Sequence, residues 1–189
     1  MENRIFSIDH NGNKYEVATT FRKQGEELLL LLHGLGCSKE SFRDIWFRDE
    51  LSDYSIMSLD FIGFGDSSKS DKFSYKMEDQ ASVCAEVVKE ISSKKVHIIA
   101  HSMGGAIGLL LPPALLNSAL TFANLEGNLI NEDCDMVSRK TINVSFQKFE
   151  KELLPDLKDL SKSLGEGRFF LDSALKGDVG SKTICQQNI

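Results

Sequence analysis

Val96-His97-Ile98-Ile99-Ala100-His101-Ser102-Met103-Gly104-Gly105 passes from an apolar, β-favouring stretch directly into small residues that open an apolar helical segment. Val96 to Ala100, apolar except for His97, reads as a buried strand. The serine therefore falls at a strand-to-helix junction, with Ala100 two positions before it and Gly104 two positions after. So sharp a turn leaves no room for large side chains beside the serine, which is the steric reason for those two residues. The turn lifts the hydroxyl out of the sheet, and the N-terminus of the following helix favours negative charge developing next to it.

The stretches on either side repeat the alternation. Leu28 to Leu32, flanked by Gly25 and Gly34, reads as another buried strand, and His33-Gly34-Leu35-Gly36 follows it with a glycine-rich backbone able to aim an amide. Lys39 to Leu51 carries Phe42, Ile45, Trp46 and Leu51 at helical spacing, and Ser38 can cap it. Ser55 to Asp60 is a strand, the Gly63/Gly65 stretch a loop, and Met77 to Ile91 an amphipathic helix with Val83, Val87, Val88 and Ile91 on one side. Beyond the serine, Met103 to Leu111 is helical until Pro112-Pro113 ends or kinks it, and Leu120 to Leu125 supplies a further strand. At the N-terminus Arg4 to Ile8 and Lys14 to Phe21 bracket His10-Asn11-Gly12-Asn13, whose Asn-Gly pair signals a hairpin. The expected fold is α/β: a mostly parallel sheet with an antiparallel N-terminal hairpin and helices on both faces.

From Gly127 the alternation stops. Phe146, Phe149, Leu153, Leu157, Leu160 and Leu164 make one apolar stripe interrupted by Pro155, as in one or two covering helices. The expected division is a core over 1–130, a helical lid segment over 131–176 and a flexible tail over 177–189.

Composition sets limits on the partners. The 189 residues, 41% hydrophobic and 26% charged, suit one packed domain with at most a small appendage. Twenty-two basic against twenty-eight acidic residues give a net charge of −6 and no basic run, which argues against nucleic acid and anionic membrane. The N-terminal MENRIFSIDH lacks a secretion pattern, and the longest apolar run, Leu28 to Leu32, is far short of a bilayer span. Cys37, Cys84, Cys134 and Cys185 lie too far apart in sequence for a paired metal motif, so reduced thiols and a cytoplasmic location are expected.

Three segments in order, HGLG at 33–36, DFIGFGDS at 60–67 and AHSMGG at 100–105, make the sequence resemble the α/β-hydrolase superfamily over roughly residues 4–130. Ala100 stands where that pattern has glycine. The resemblance implies a serine hydrolase acting on an ester, amide or related small substrate. Ser102 would be the nucleophile and the backbone N–H groups of Met103 and Leu35 the oxyanion-hole donors, with His33 and Gly34 forming the turn around them. Asp60, Gly63 and Gly65 would shape the rim without reacting.

A serine hydroxyl needs a general base, which in this superfamily is a histidine late in the chain. The chain has His10, His33, His97 and His101, and none follows Ser102. His97 would stand about 16 Å away on an extended strand, at roughly 3.3 Å per residue. Alternation along a strand would send the His101 and Ser102 side chains to opposite sides. His33, at the neighbouring strand's end, is the least excluded, although the resemblance makes it a turn-supporting residue. Glu126, at the end of the Leu120–Leu125 strand, is either a triad-type acid or a turn carboxylate; Asp133 and Asp135 read as solvated. His97 and His101 would lie about 13 Å apart on a strand, too far to share zinc. Gly63-Phe64-Gly65 lacks the third glycine of a dinucleotide loop, so neither metal nor cofactor is expected. Phe146, Phe149, Phe169 and Phe170, with Cys37 and Trp46, could line an apolar pocket or simply pack.

The six strand signals fall short of the full superfamily sheet. The expectation is an incomplete, C-terminally shortened core, nearly inactive as it stands, whose Leu120–Leu125 strand lies at an exposed edge and favours self-association. The alternative is a hydrolase-fold binding protein without turnover.

Overall fold

A computed structural model of the chain describes residues 1–127 together with Lys148, Lys151, Glu152 and Pro155. The lid and tail expected over 131–189 therefore lie, apart from those four residues, outside the described residues, as do Cys134, Cys185 and the four phenylalanines beyond position 140.

The chain opens with β1 (Glu2–His10) and β2 (Asn13–Arg22), paired antiparallel from Glu2↔Phe21 to His10↔Asn13. Asn11 and Gly12 between them have φ of 52° and 74°, the two left-handed positions that a tight hairpin turn requires. β3 (Glu27–Leu32), β4 (Ser55–Leu59), β5 (Lys95–His101) and β6 (Ala119–Leu125) complete the sheet in the order β1-β2-β4-β3-β5-β6. β3 pairs parallel with both β4 and β5, and β5 pairs parallel with β6; only the N-terminal strands run against their neighbours.

The apolar run of β3 is explained by cover on both faces. Leu28, Leu30 and Leu32 point into one cluster with Met57, Leu59, Val96, Ile98 and the buried side of α1 (Met77–Ile91), including Val83, Val87 and Val88. Leu29 and Leu31 point the other way, against Phe42 and Ile56, with Ile45, Trp46 and Ile99 packed around them. Five consecutive leucines thus contribute to two cores by simple alternation.

Two helical expectations are corrected. Lys39 to Leu51 is a pair of 3₁₀ segments, Lys39–Phe47 and Asp49–Leu51, and not an α-helix. Phe42 and Ile45 are three apart, so a three-residue turn serves them as well as an α-turn, and so short a segment cannot distinguish the two periods from sequence. Ser38 does cap it, its hydroxyl accepting from the Glu40 N–H at 3.3 Å. The helix after Ser102, α2 (Met103–Leu109), ends two residues before the expected Leu111, and Pro113 opens a separate short helix, α3 (Pro113–Leu116). Proline suits a first helical position, where no donor is needed.

From β3 the chain crosses to β4 on one side of it, then returns to β5 on the other. The loops leaving β3 and β5 consequently diverge, and the carboxyl ends of these two central strands open the crevice where such sheets bind ligands. β6 is the last strand of the order, and its sequence ALTFANL carries no charge. Leu120 and Leu125 on it are 54% and 49% exposed.

Candidate active site

Ser102 occupies the single residue between β5 and α2, with φ 50° and ψ −122°. A non-glycine residue pays roughly 1–3 kcal/mol for such a conformation. Its surroundings impose it. The Ser102 N–H donates to Leu125 O at 2.9 Å, anchoring the turn to β6, while Gly105 N–H donates to Ser102 O at 2.8 Å as α2 begins. Gly104 lets α2 start this close to the sheet: a β-carbon there would lie 2.4 Å from Leu32 O and 2.7 Å from His33 O. Ala100 is completely buried beneath. The serine itself is half-buried at the surface of the turn, neither inside a regular helix nor packed away.

The loop after β3 comes to the same place. Cys37 N–H donates to Gly34 O at 3.2 Å, and Gly36, with φ 71°, takes the left-handed third position of that turn. Gly34 abuts the serine: a β-carbon on it would meet Nδ1 of His101 at 2.8 Å and Cβ of Ser102 at 3.1 Å. Gly34, Leu35, Ser102 and Met103 therefore gather at the carboxyl ends of β3 and β5.

His33 is fully buried and supports this turn with both ring nitrogens. Nδ1 lies 2.8 Å from Gly34 O and Nε2 accepts from the Phe61 N–H at 3.2 Å, which makes Nδ1 the protonated nitrogen. Its ring sits between Phe61 and Phe64, with centroids at 4.7 Å and 5.4 Å. Burial holds its pKa below the ordinary histidine value against the opposing charge of Asp60. Neither nitrogen is left to receive a proton from a substrate-facing group.

His101 departs from expectation. Strand alternation does not carry across the turn at Ser102, so His101 and Ser102 both border Gly34 instead of diverging. The far nitrogen of His101, Nε2, is 3.7 Å from Oε2 of Glu126, whose side chain is 90% exposed. Glu126 thus stands beside the crevice at the end of β6, facing the residue before the serine. His97 is occupied lower on the sheet by Glu27 at 2.9 Å and Thr121 at 2.9 Å, and His10 by Asp79 at 3.1 Å. Among the described residues no cluster of three or more His, Cys, Asp or Glu could hold a metal ion, and no helix is long and apolar enough to cross a membrane. Asp133 and Asp135 lie outside the described residues.

Lys39 and Gln80 escaped the sequence reading. Lys39 is only 5% exposed and its Nζ reaches Asp60 at 2.9 Å and Asp66 at 2.7 Å. Gln80 on α1 exchanges two hydrogen bonds with the backbone of Ile62, at 3.0 Å and 2.8 Å. Both partners are remote in sequence, and no local pattern announces either pairing.

The family described as alpha/beta hydrolase fold matches residues 27–115. The uncharacterized hydrolase YugF of Bacillus subtilis (strain 168) is 32% identical over 108 residues, covering 56% of this chain and 37% of that protein. Lipase 3 of Moraxella sp. (strain TA144) is 35% identical over 100 residues, 52% of this chain and 31% of the lipase. Over the matched segments the chain spans about a third of these relatives' length. Among solved structures, the N-acyl homoserine lactonase AidH aligns with TM-score 0.76 at 17% identity, over 97% of this chain and 68% of that one. A bromoperoxidase from Bacillus anthracis aligns with TM-score 0.76 at 16% identity, over 97% and 72%. Residues 27–115 match the α/β-hydrolase fold family, and the mixed six-stranded sheet has the architecture of that fold's core.

Proposed function

We propose that the chain carries the nucleophile and oxyanion half of a serine hydrolase acting on an ester, amide or related small carbonyl substrate. The observation that carries this reading is the meeting of Gly34 and Ser102 at the ends of adjacent central strands. Ser102 Oγ attacks the carbonyl carbon and its proton passes to a base. The carbonyl electrons move onto oxygen, where the N–H groups of Leu35 and Met103 receive the charge. Collapse expels the alcohol or amine, and water repeats the sequence to free Ser102. Each amide is worth about 2.7–4 kcal/mol of transition-state stabilisation in sites of this kind. The hydrolase and lipase relatives support the same class of chemistry.

The base is the part these residues do not provide. His33 has both nitrogens engaged, His97 and His10 are tied to carboxylates elsewhere, the Nε2 of His101 faces Glu126, and no histidine follows Ser102 in the sequence. Loss of triad members costs on the order of a millionfold in turnover while leaving residual oxyanion-hole catalysis. The 189 residues are therefore expected to hydrolyse an activated aryl ester only very slowly and to label weakly at Ser102 with a fluorophosphonate. The occupied histidines also favour a second reading, a ligand-binding protein on the hydrolase fold. Incubation with the fluorophosphonate followed by peptide mapping separates the two. Adduct on Ser102, lost in Ser102→Ala, supports the hydrolase reading; no adduct at millimolar probe favours the binding protein. Fast turnover lost in Ser102→Ala would overturn the account of the base.

A further inference from the structure

Resting on the assignment of Leu35 and Ser102 above, we infer that Lys39, clamped between Asp60 and Asp66, is a positioning residue that fixes the Gly34–Cys37 turn against Ser102. Every polar group of Lys39 is bound to β4 or the loop after it. Its N–H donates to Asp60 Oδ1 at 2.6 Å, its Nζ to Asp60 Oδ2 at 2.9 Å and Asp66 Oδ2 at 2.7 Å, and its carbonyl accepts from Ser58 Oγ at 3.1 Å. Asp60 is fully buried and also receives the Asp66 N–H at 2.9 Å, so its carboxylate is shared between the two loops. Gly65, with φ 48°, is needed for this closure, because a β-carbon there would fall 2.2 Å from Asp60 Oδ2.

The clamp acts on the turn through very few bonds. Lys39 follows Cys37 and Ser38 directly, and Ser38 starts the 3₁₀ segment that Lys39 belongs to. The turn is therefore tethered at one end by β3 and at the other by Lys39. His33 makes the β3 end rigid through its bond from the Phe61 N–H, which also comes from the loop after β4. Two crosslinks to one loop thus bracket Gly34, Leu35 and Gly36. Lys39 stays charged: burial alone would lower its pKa, but the hydrogen bonds and charges of Asp66 and Asp60 outweigh it and hold it above the ordinary lysine value. Lys39 and Asp60 are buried while the Asp66 side chain is 68% exposed; the buried pair with its fixed hydrogen bonds specifies one geometry, where an apolar contact would tolerate sliding.

The turn contains its own reporter. Cys37 is 1% exposed, and Cys84 on α1 is equally buried but distant in the sequence. The experiment compares iodoacetamide alkylation of Cys37 and Cys84, resolved by peptide mapping, in the full chain and in Lys39→Met, Lys39→Arg and Asp66→Asn. Lys39→Met is expected to raise Cys37 alkylation by about tenfold or more, since access controls thiol reactivity, with Cys84 unchanged. In the same samples Ser102 phosphonylation is expected to fall roughly tenfold to a hundredfold, the scale on which misplacement by about 1 Å acts. Lys39→Arg, which can span both carboxylates, restores part of each. If Lys39→Met does not fold, Asp66→Asn decides, with a smaller rise at Cys37 expected. Unchanged Cys37 protection in a folded variant overturns the proposal, as does a parallel rise at Cys84, which would mean general loosening. Failure of Ser102 to label in the unsubstituted chain would instead remove the hydrolase reading, while the Cys37 comparison still decides the clamp.

Discussion

Gly34 and Ser102 sit so close that a β-carbon added to the glycine would lie 3.1 Å from the β-carbon of the serine. This contact joins the loop of one central strand to the turn of the next, and Nδ1 of His101 closes the same spot from the side at 2.8 Å. Gly34→Ala is expected to push the turn away from Ser102. Fluorophosphonate labelling should drop by about tenfold or more, with a melting temperature lowered by only a few degrees, because the ring of His101 can move. Equal labelling of both proteins would show that the turn plays no part.

Gly104 presents the opposite case, because what a side chain would strike is backbone: Leu32 O at 2.4 Å and His33 O at 2.7 Å. Gly104→Ala should force α2 off the sheet and cost about 1–3 kcal/mol, as overpacking does. Urea titration followed by circular dichroism measures it; a variant as stable as the parent would contradict the close approach.

His33→Gln tests a buried, doubly bonded imidazole. Glutamine keeps an acceptor, but without the ring it does not hold the Phe61 N–H and Gly34 O together as the imidazole does. Loss of one of those buried bonds should cost about 1–3 kcal/mol. The pH dependence has a definite sign. The folded histidine has a depressed pKa, so as pH falls below about 6.5 the unfolded chain takes up a proton that the folded chain refuses. Stability is therefore full above that pH and is lost on acidification. His33→Gln should flatten that part of the acid limb in a series of urea midpoints between pH 7 and 5; an unchanged limb would assign it elsewhere.

The buried thiols act at the other end of the scale. Burial pushes Cys84 up to about 12 and Cys37 up to about 11, the latter against opposing hydrogen bonds from Ser41 and Gly34. Above pH 9 the unfolded chain releases protons that the folded one retains, so stability falls as pH rises, by roughly 1.4 kcal/mol per pH unit for each thiol. Cys84→Ala will lower stability throughout by leaving a small void, but its slope between pH 9 and 10.5 should be shallower. An identical slope would exclude the thiol as the source.

The sheet was legible because β3, β5 and the hairpin obey local rules. Leu28 to Leu32 announces burial on both faces, Asn11-Gly12 fixes the turn, and small residues at 100 and 104 reveal the sharp bend around Ser102. The misreadings have physical causes. Phe42 and Ile45 satisfy a three-residue and a four-residue turn equally, so the 3₁₀ cover looked α-helical. His101 was sent away from Ser102 by a strand rule that ends where φ becomes positive. Lys39 was invisible because its significance depends on Asp60 and Asp66, which only the fold brings to it. A lysine read in isolation is a solvent-facing charge; here it is among the least exposed residues of its segment.

The crevice is rooted in β3 and β5, neighbours at the interior of the sheet with ladders on both sides. Its foundations should therefore outlast the periphery: amide deuterium uptake at Leu30 and Ile98 ought to be among the slowest in the protein, well behind β1. A chain losing its margins to fraying or proteolysis would keep the spacing of its reactive corner until the whole cooperative unit dissolves.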